Sequence, residues 1–154
     1  MTANRNLRPS ILDQLGLGAA LGEAGTEFQE QTGVSVKLAC TQLTTRLSVD
    51  AELTLYRILQ EALRNVEKHA RARHVTVSLT QPGAFVQLVI KDDGVGFDPD
   101  QRPARRKGKG GLGLLGMRER ATYVGGTLKI ISARRAGAKI EVRIPLQPSA
   151  TATN

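Results

Sequence analysis

Through SVDAELTLYRILQEALRNVEKHA, Ser48 to Ala70, the apolar positions Leu55, Ile58, Leu59, Ala62, Leu63 and Val66 recur every three or four residues, the period of an α-helix with one buried face. Ser48 and Asp50 stand as its capping candidates. Ile11, Leu12, Leu15, Ala19 and Ala20, at mixed three and four spacings, predict an earlier amphipathic helix over residues 10–31, ended by Gly33. Strict alternation marks the strands instead. VSVKLAC, Val34 to Cys40, alternates; HVTVSLT and AFVQLVI alternate on either side of Gln81-Pro82-Gly83 and predict a hairpin. FDPDQRPARRKGKGG, residues 97–111, holds two prolines, three glycines and five basic residues and is expected to be a mobile loop. LGLLGMRERATYV then reads as a helix up to Gly125-Gly126, TLKIISA as a strand, RRAG as a turn and AKIEVRIPL as the last strand.

The order helix, strand, helix, hairpin, loop, helix, hairpin predicts an α+β fold. Its form is a two-layer sandwich, one mixed and mostly antiparallel sheet with helices on one face. Residues 10–146 make one domain, 1–9 a linker remnant, and 147–154 a polar tail expected to be disordered. There are no internal repeats.

Composition narrows the function classes. A chain of 154 residues buries roughly 70% of its unfolded surface, so its core needs no metal or disulfide. The single cysteine, Cys40, is expected to be a small buried apolar residue. No apolar run is long enough to cross a bilayer and the first ten residues lack the apolar core of a signal peptide, which leads us to expect a cytoplasmic chain. The net charge of +8 favours an anionic partner. With no Trp, two Tyr and three Phe, the platforms on which single-stranded nucleic acid stacks are missing, and a phosphate site is preferred to a nucleic-acid surface.

Three motifs carry candidate chemistry. DDGVG, Asp92 to Gly96, follows a strand; alone it is an ordinary turn, and it fails as a calcium loop because its twelfth position is Pro103. GLGLLG, Gly111 to Gly116, matches a dinucleotide fingerprint in letters, but it follows a basic loop rather than a strand. Its physics survives, since glycines leading into a helix offer backbone N–H groups and a positive dipole end to an anion. On the long helix Glu61, Asn65, Lys68 and His69 share a stripe opposite the apolar face. A solvated face would read the same, but a mid-helix Asn costs propensity, and its carbonyl beside a carboxylate suits magnesium. His69 and His74 lack zinc spacing, and there is no phosphate-binding G-x-x-x-x-G-K-[ST] and no G-x-S-x-G nucleophile motif.

Taken in order, LRPSILDQLGLGAAL, LYRILQEALRNVEKHA, DDGVGFD and GGLGLLGMRERATYVGG resemble four segments of the ATP-binding catalytic domain of sensor histidine kinases. They match its lead-in from the dimerisation helices, its asparagine motif, and its first and second glycine motifs. The branch resembled pairs with helix-turn-helix response regulators, and the likeness covers about Leu7 to Leu146. The resemblance implies a Bergerat-type sandwich with ATP and Mg2+ held between the helical layer and a lid. It implies that Asp93 receives the adenine amino group while Gly94 and Gly96 let the base approach. Asn65 matches the magnesium ligand, and Glu61 the catalytic residue that polarises the phosphoryl acceptor. Lys68 and His69 match positions near the phosphates, and Gly111, Gly113 and Gly116 the phosphate-side glycines, with Leu112 and Leu114 packing the lid base. Arg102, Arg105, Arg106, Lys107 and Lys109 fall in the lid.

Two departures stand out. Where the family often has Gly-Thr in the last hairpin, Gly137 is followed by Ala138, and the helix bearing the phosphoacceptor histidine is missing before Leu7. The implied function is therefore transfer of the γ-phosphoryl of Mg-ATP to a histidine on a separate dimerisation domain, for relay to a response regulator. Neither nucleic acid nor membrane is an expected partner of this domain. The piece is expected to be monomeric and its parent a homodimer open to membrane anchoring. The rival readings are a non-kinase ATPase or an anti-sigma-type serine kinase of the same superfamily, and a non-catalytic binding module.

Overall fold

The computed structural model describes residues 10–41, 43, 47–95, 113–132 and 137–146, apart from the side chains of 10, 11, 13, 69 and 70. The predicted loop 97–111, the tail 147–154 and residues 1–9 lie outside the described residues.

Helix α3, Val49–Asn65, starts behind Ser48, whose hydroxyl oxygen accepts the Ala51 N–H at 3.1 Å. Its inward face is the one the spacing predicts: Leu55, Ile58 and Leu59 are 0% exposed, with Ala62, Leu63 and Val66 buried beside them. At roughly 1.5–3 kcal/mol for each fully buried Leu or Ile, these three outweigh by far the ~0.5 kcal/mol that an Asn costs in helix propensity. The helix therefore tolerates Asn65 at its end.

Among the described residues five strands form one sheet in the order β1-β2-β3-β5-β4. β2 (His74–Thr80) and β3 (Phe85–Asp92) make one antiparallel hairpin, β4 (Thr127–Ser132) and β5 (Ala138–Pro145) the other. They join through β3 and β5, from Phe85 opposite Pro145 to Asp92 opposite Ala138. β1 (Ser35–Cys40) adds parallel to β2, with Ser35 opposite His74. Alternation sends Val75, Val77, Leu79, Val86, Leu88, Ile90, Ile140, Val142 and Ile144 to the helical side, where all are buried. α1 (Ser10–Leu15), α2 (Leu17–Thr32), α3 and α4 (Leu114–Tyr123) cover that one face, α3 against β3 and β5, α4 against β4. The two-layer α+β sandwich predicted from the periodicity is the fold observed.

Three local expectations are corrected. The helix over 10–31 is two helices, broken at Gly16, whose φ of 91° takes the chain out of the helix without a Cβ penalty. The α-helix ends at Asn65, and Val66–Ala70 continue as a π-turn. The wider winding there turns each residue through a smaller angle, so the straight stripe expected from Glu61 to His69 bends at Asn65. Cys40 is exposed rather than buried, because it closes β1, which among the described residues is an edge strand paired with β2.

Candidate functional site

Along β3 the inward series Val86, Leu88, Ile90 continues to Asp92, so strand alternation carries a carboxylate to the helical side of the sheet. Asp92 is 8% exposed. Its Oδ1 accepts the Gly94 N–H at 2.8 Å, and the Ala138 N–H also donates to it. Burial raises the Asp92 carboxyl above the ordinary carboxylate range and the charge of Asp93 adds to the rise, while the two backbone donors oppose it. A buried carboxylate with lone pairs still open is the kind of acceptor that fixes a ligand's N–H.

Asp93 turns the other way. Half-exposed, its Oδ1 accepts the N–H groups of Arg73 at 2.8 Å and His74 at 2.9 Å, and its Oδ2 lies 2.7 Å from His74 Nδ1. The backbone and ring of His74, then the backbone of Arg73, hold its carboxyl well below the usual range. Its oxygens are thus engaged on the solvent side of the sheet, not where the resemblance would have them receive adenine.

Gly137 seats this corner. Its φ is 77°, and a Cβ there would meet the Asp92 carbonyl oxygen, with Asp93 Cα at 3.4 Å. The Ser132 hydroxyl donates to the Gly137 carbonyl at 3.0 Å and fixes the approach from the β4 side. Gly137→Ala is expected to combine the ~1–2 kcal/mol cost of a left-handed non-glycine residue with an overpacking cost of similar size. Thermal unfolding should register a loss of about 2–4 kcal/mol; an unchanged midpoint would remove Gly137 as the seat of Asp92.

The second half of the site lies where α3 ends and α4 begins. Gly113, φ 70°, precedes α4, and among the described residues no side chain caps the helix start, where the first N–H groups and the positive dipole end lie. A Cβ on Gly113 would run into the Glu61 carboxylate, so the missing side chain is what lets Glu61 lie against the α4 start. Glu61 Oε1 also stands 3.8 Å from Arg64 Nε, a surface pair of little energetic weight. Asn65, half-buried, ends α3 one turn beyond Glu61; Lys68 is exposed on the π-turn and Leu114 packs on the core. Among the described residues nothing approaches the open side of Gly116, which lines a groove of about 410 Å³ with Leu53, Arg57, Glu119 and Tyr123.

The structure therefore brings Glu61 against Gly113, with Asn65 one turn further along α3 and Leu114 at the start of α4. The side chain of His69, and Gly96, Arg102, Arg105, Arg106, Lys107, Lys109, Gly111 and Leu112, lie outside what is described. No group of three or more potential metal-ligating His, Cys, Asp or Glu residues occurs among the described residues. The resemblance points to Asp93, but the period-two series Val86, Leu88, Ile90 already turns Asp92 to the helical side.

Comparison with known proteins adds three findings. Residues 50–148 match the family model described as histidine kinase-, DNA gyrase B-, and HSP90-like ATPase. The chain is 37% identical over 142 residues to the sensor histidine kinase MctS of Rhizobium johnstonii, covering 92% of this chain and 30% of that protein. It is 37% identical over 141 residues to the signal transduction histidine-protein kinase/phosphatase DegS of Brevibacillus brevis, covering 92% and 35%. The chain thus spans about a third of the length of these relatives. Among solved structures, the histidine kinase domain of the Erythrobacter litoralis EL346 blue-light activated kinase superposes with a TM-score of 0.69 at 22% identity, over 84% of this chain and 61% of that one, a likeness of fold.

Proposed function

Since this chain belongs to the family of histidine kinase-, DNA gyrase B- and HSP90-like ATPases, we propose that it is the ATP-binding catalytic domain of a sensor histidine kinase. In that role it directs the γ-phosphoryl of Mg-ATP to a histidine on a separate dimerisation domain, for relay to a response regulator. The observation that carries the reading is the buried Asp92 carboxylate at the end of β3, on the same side of the sheet as Glu61 and Asn65 of α3.

In this reading Asp92, rather than Asp93, receives the adenine amino group, and Gly94, whose N–H holds Asp92 Oδ1, keeps the approach to the base clear. Asn65 would hold magnesium through its amide oxygen, and the ion would supply neutralisation of phosphate charge. The α4 start after Gly113, with Gly111 and Gly116, takes phosphate oxygens on backbone N–H groups, aided by Lys68, His69 and the basic residues 102–109. Glu61 orients the incoming imidazole and accepts its proton. Little covalent chemistry is left for the protein, and its contribution is positioning and charge.

The test is incubation with labelled ATP, magnesium and a supplied dimerisation domain. Label on that domain that survives base and is lost in acid, and that disappears when magnesium is chelated, supports the proposal. Acid-stable label on a hydroxyl, or ATP hydrolysis without transfer, would replace it with a serine kinase or a plain ATPase.

A further inference from the structure

Among the described residues Asp93 makes four polar contacts, all with the same two residues. Its N–H donates to the His74 carbonyl at 3.2 Å, its Oδ1 accepts from Arg73 and His74, and its Oδ2 meets His74 Nδ1. Arg73 and His74 form the segment through which the chain leaves the π-turn after Asn65, turns at Arg71 with φ 53°, and enters β2. Arg73 is braced on its far side as well, its carbonyl accepting the Ser35 N–H at 2.9 Å. One side chain thus ties the end of β3, which bears Asp92, to the strand start that follows the Asn65 helix. The His74 and Asp93 side chains are 65% and 48% exposed, so both reach solvent.

From this arrangement we infer that Asp93, clamped on Arg73 and His74, is a positioning residue that sets the aim of Asp92 and so the protein's discrimination between purine bases. The inference rests on Asp92 being the adenine acceptor. Between Asp93 and the carboxylate it controls lies only one peptide bond. Releasing the clamp frees the backbone torsions of Asp93 and lets Asp92 swing away from its Gly94 and Ala138 donors. An Asn at position 93 keeps the clamp, because its amide oxygen accepts from Arg73 and His74 while its NH2 donates to a His74 Nδ1 lone pair.

Calorimetric binding of ATP and of ITP, which carries an oxygen where ATP has the amino group, separates aim from fold. Asp93→Ala is expected to weaken ATP binding about 3- to 10-fold while ITP binding is unchanged, so that the preference for ATP collapses; Asp93→Asn recovers most of it. Equal losses for both nucleotides, or an Asp93→Asn variant as poor as Asp93→Ala, would overturn the positioning role. Asp92→Asn distinguishes the underlying reading: if it leaves the ATP preference intact, Asp92 is not the acceptor and that reading fails first.

Discussion

Replacing Glu61 by Gln is expected to slow phosphoryl transfer to a supplied acceptor by about 10²- to 10⁴-fold while leaving ATP affinity within a factor of about three, the range for removing a positioned general base. Gln keeps the size of Glu and an oxygen that can accept a hydrogen bond, so its contact with the α4 start at Gly113 should persist. It cannot take a proton. The loss should therefore appear in the transfer step alone, measured by single-turnover kinetics at saturating ATP. Equal losses in binding and transfer would instead make Glu61 a structural support for α4. An unchanged rate would remove it from the chemistry.

Asp92→Asn is expected to weaken ATP binding by about 10- to 150-fold, the equivalent of the 1.5–3 kcal/mol of one charge-assisted hydrogen bond. The reason is a mismatch of donors. Asp92 Oδ1 already serves the Gly94 N–H, and an amide that keeps this bond presents its NH2 to the adenine NH2, donor to donor. The same carboxylate sets a pH dependence. Because burial raises its folded pKa above the unfolded value, the folded state holds the proton more tightly, and the domain gains stability as pH falls through the raised pKa. In the proposed role ATP binding needs the ionised form and is expected to fall over that window, beginning at a higher pH than an ordinary carboxylate would give. In Asp92→Asn this acid limb should vanish; binding titrations that keep it would assign it to another group.

Period alone made most of the fold legible. Five apolar positions place α3, and the alternation of β2, β3, β4 and β5 predicts those strands to within one or two residues, because burial on one face dominates each of them. Partnership was less legible: nothing in VSVKLAC states that β1 lies parallel to β2, since a strand's period describes its faces and not its neighbour. The break at Gly16 and the π-turn after Asn65 escaped because both preserve a helical spacing of apolar residues across a local change in winding. For the site, Glu61, Asn65 and Gly113 could be named from the motifs. The roles of the paired aspartates could not be read from the motif letters, which are identical; only the register of β3 separates the inward Asp92 from the outward Asp93.

The exposure of Cys40 has a practical side. It is the chain's single thiol, and it ends β1 opposite Leu79, whereas Asp92 pairs with Val75 at the other end of β2. Two strand spacings and four residues put it roughly 16 Å from Asp92. A maleimide dye can therefore be attached at one defined place without mutagenesis, near enough to report nucleotide arrival and too far to obstruct it. Partial burial raises the thiol pKa, so the coupling calls for mildly alkaline buffer, where the reactive thiolate is more abundant.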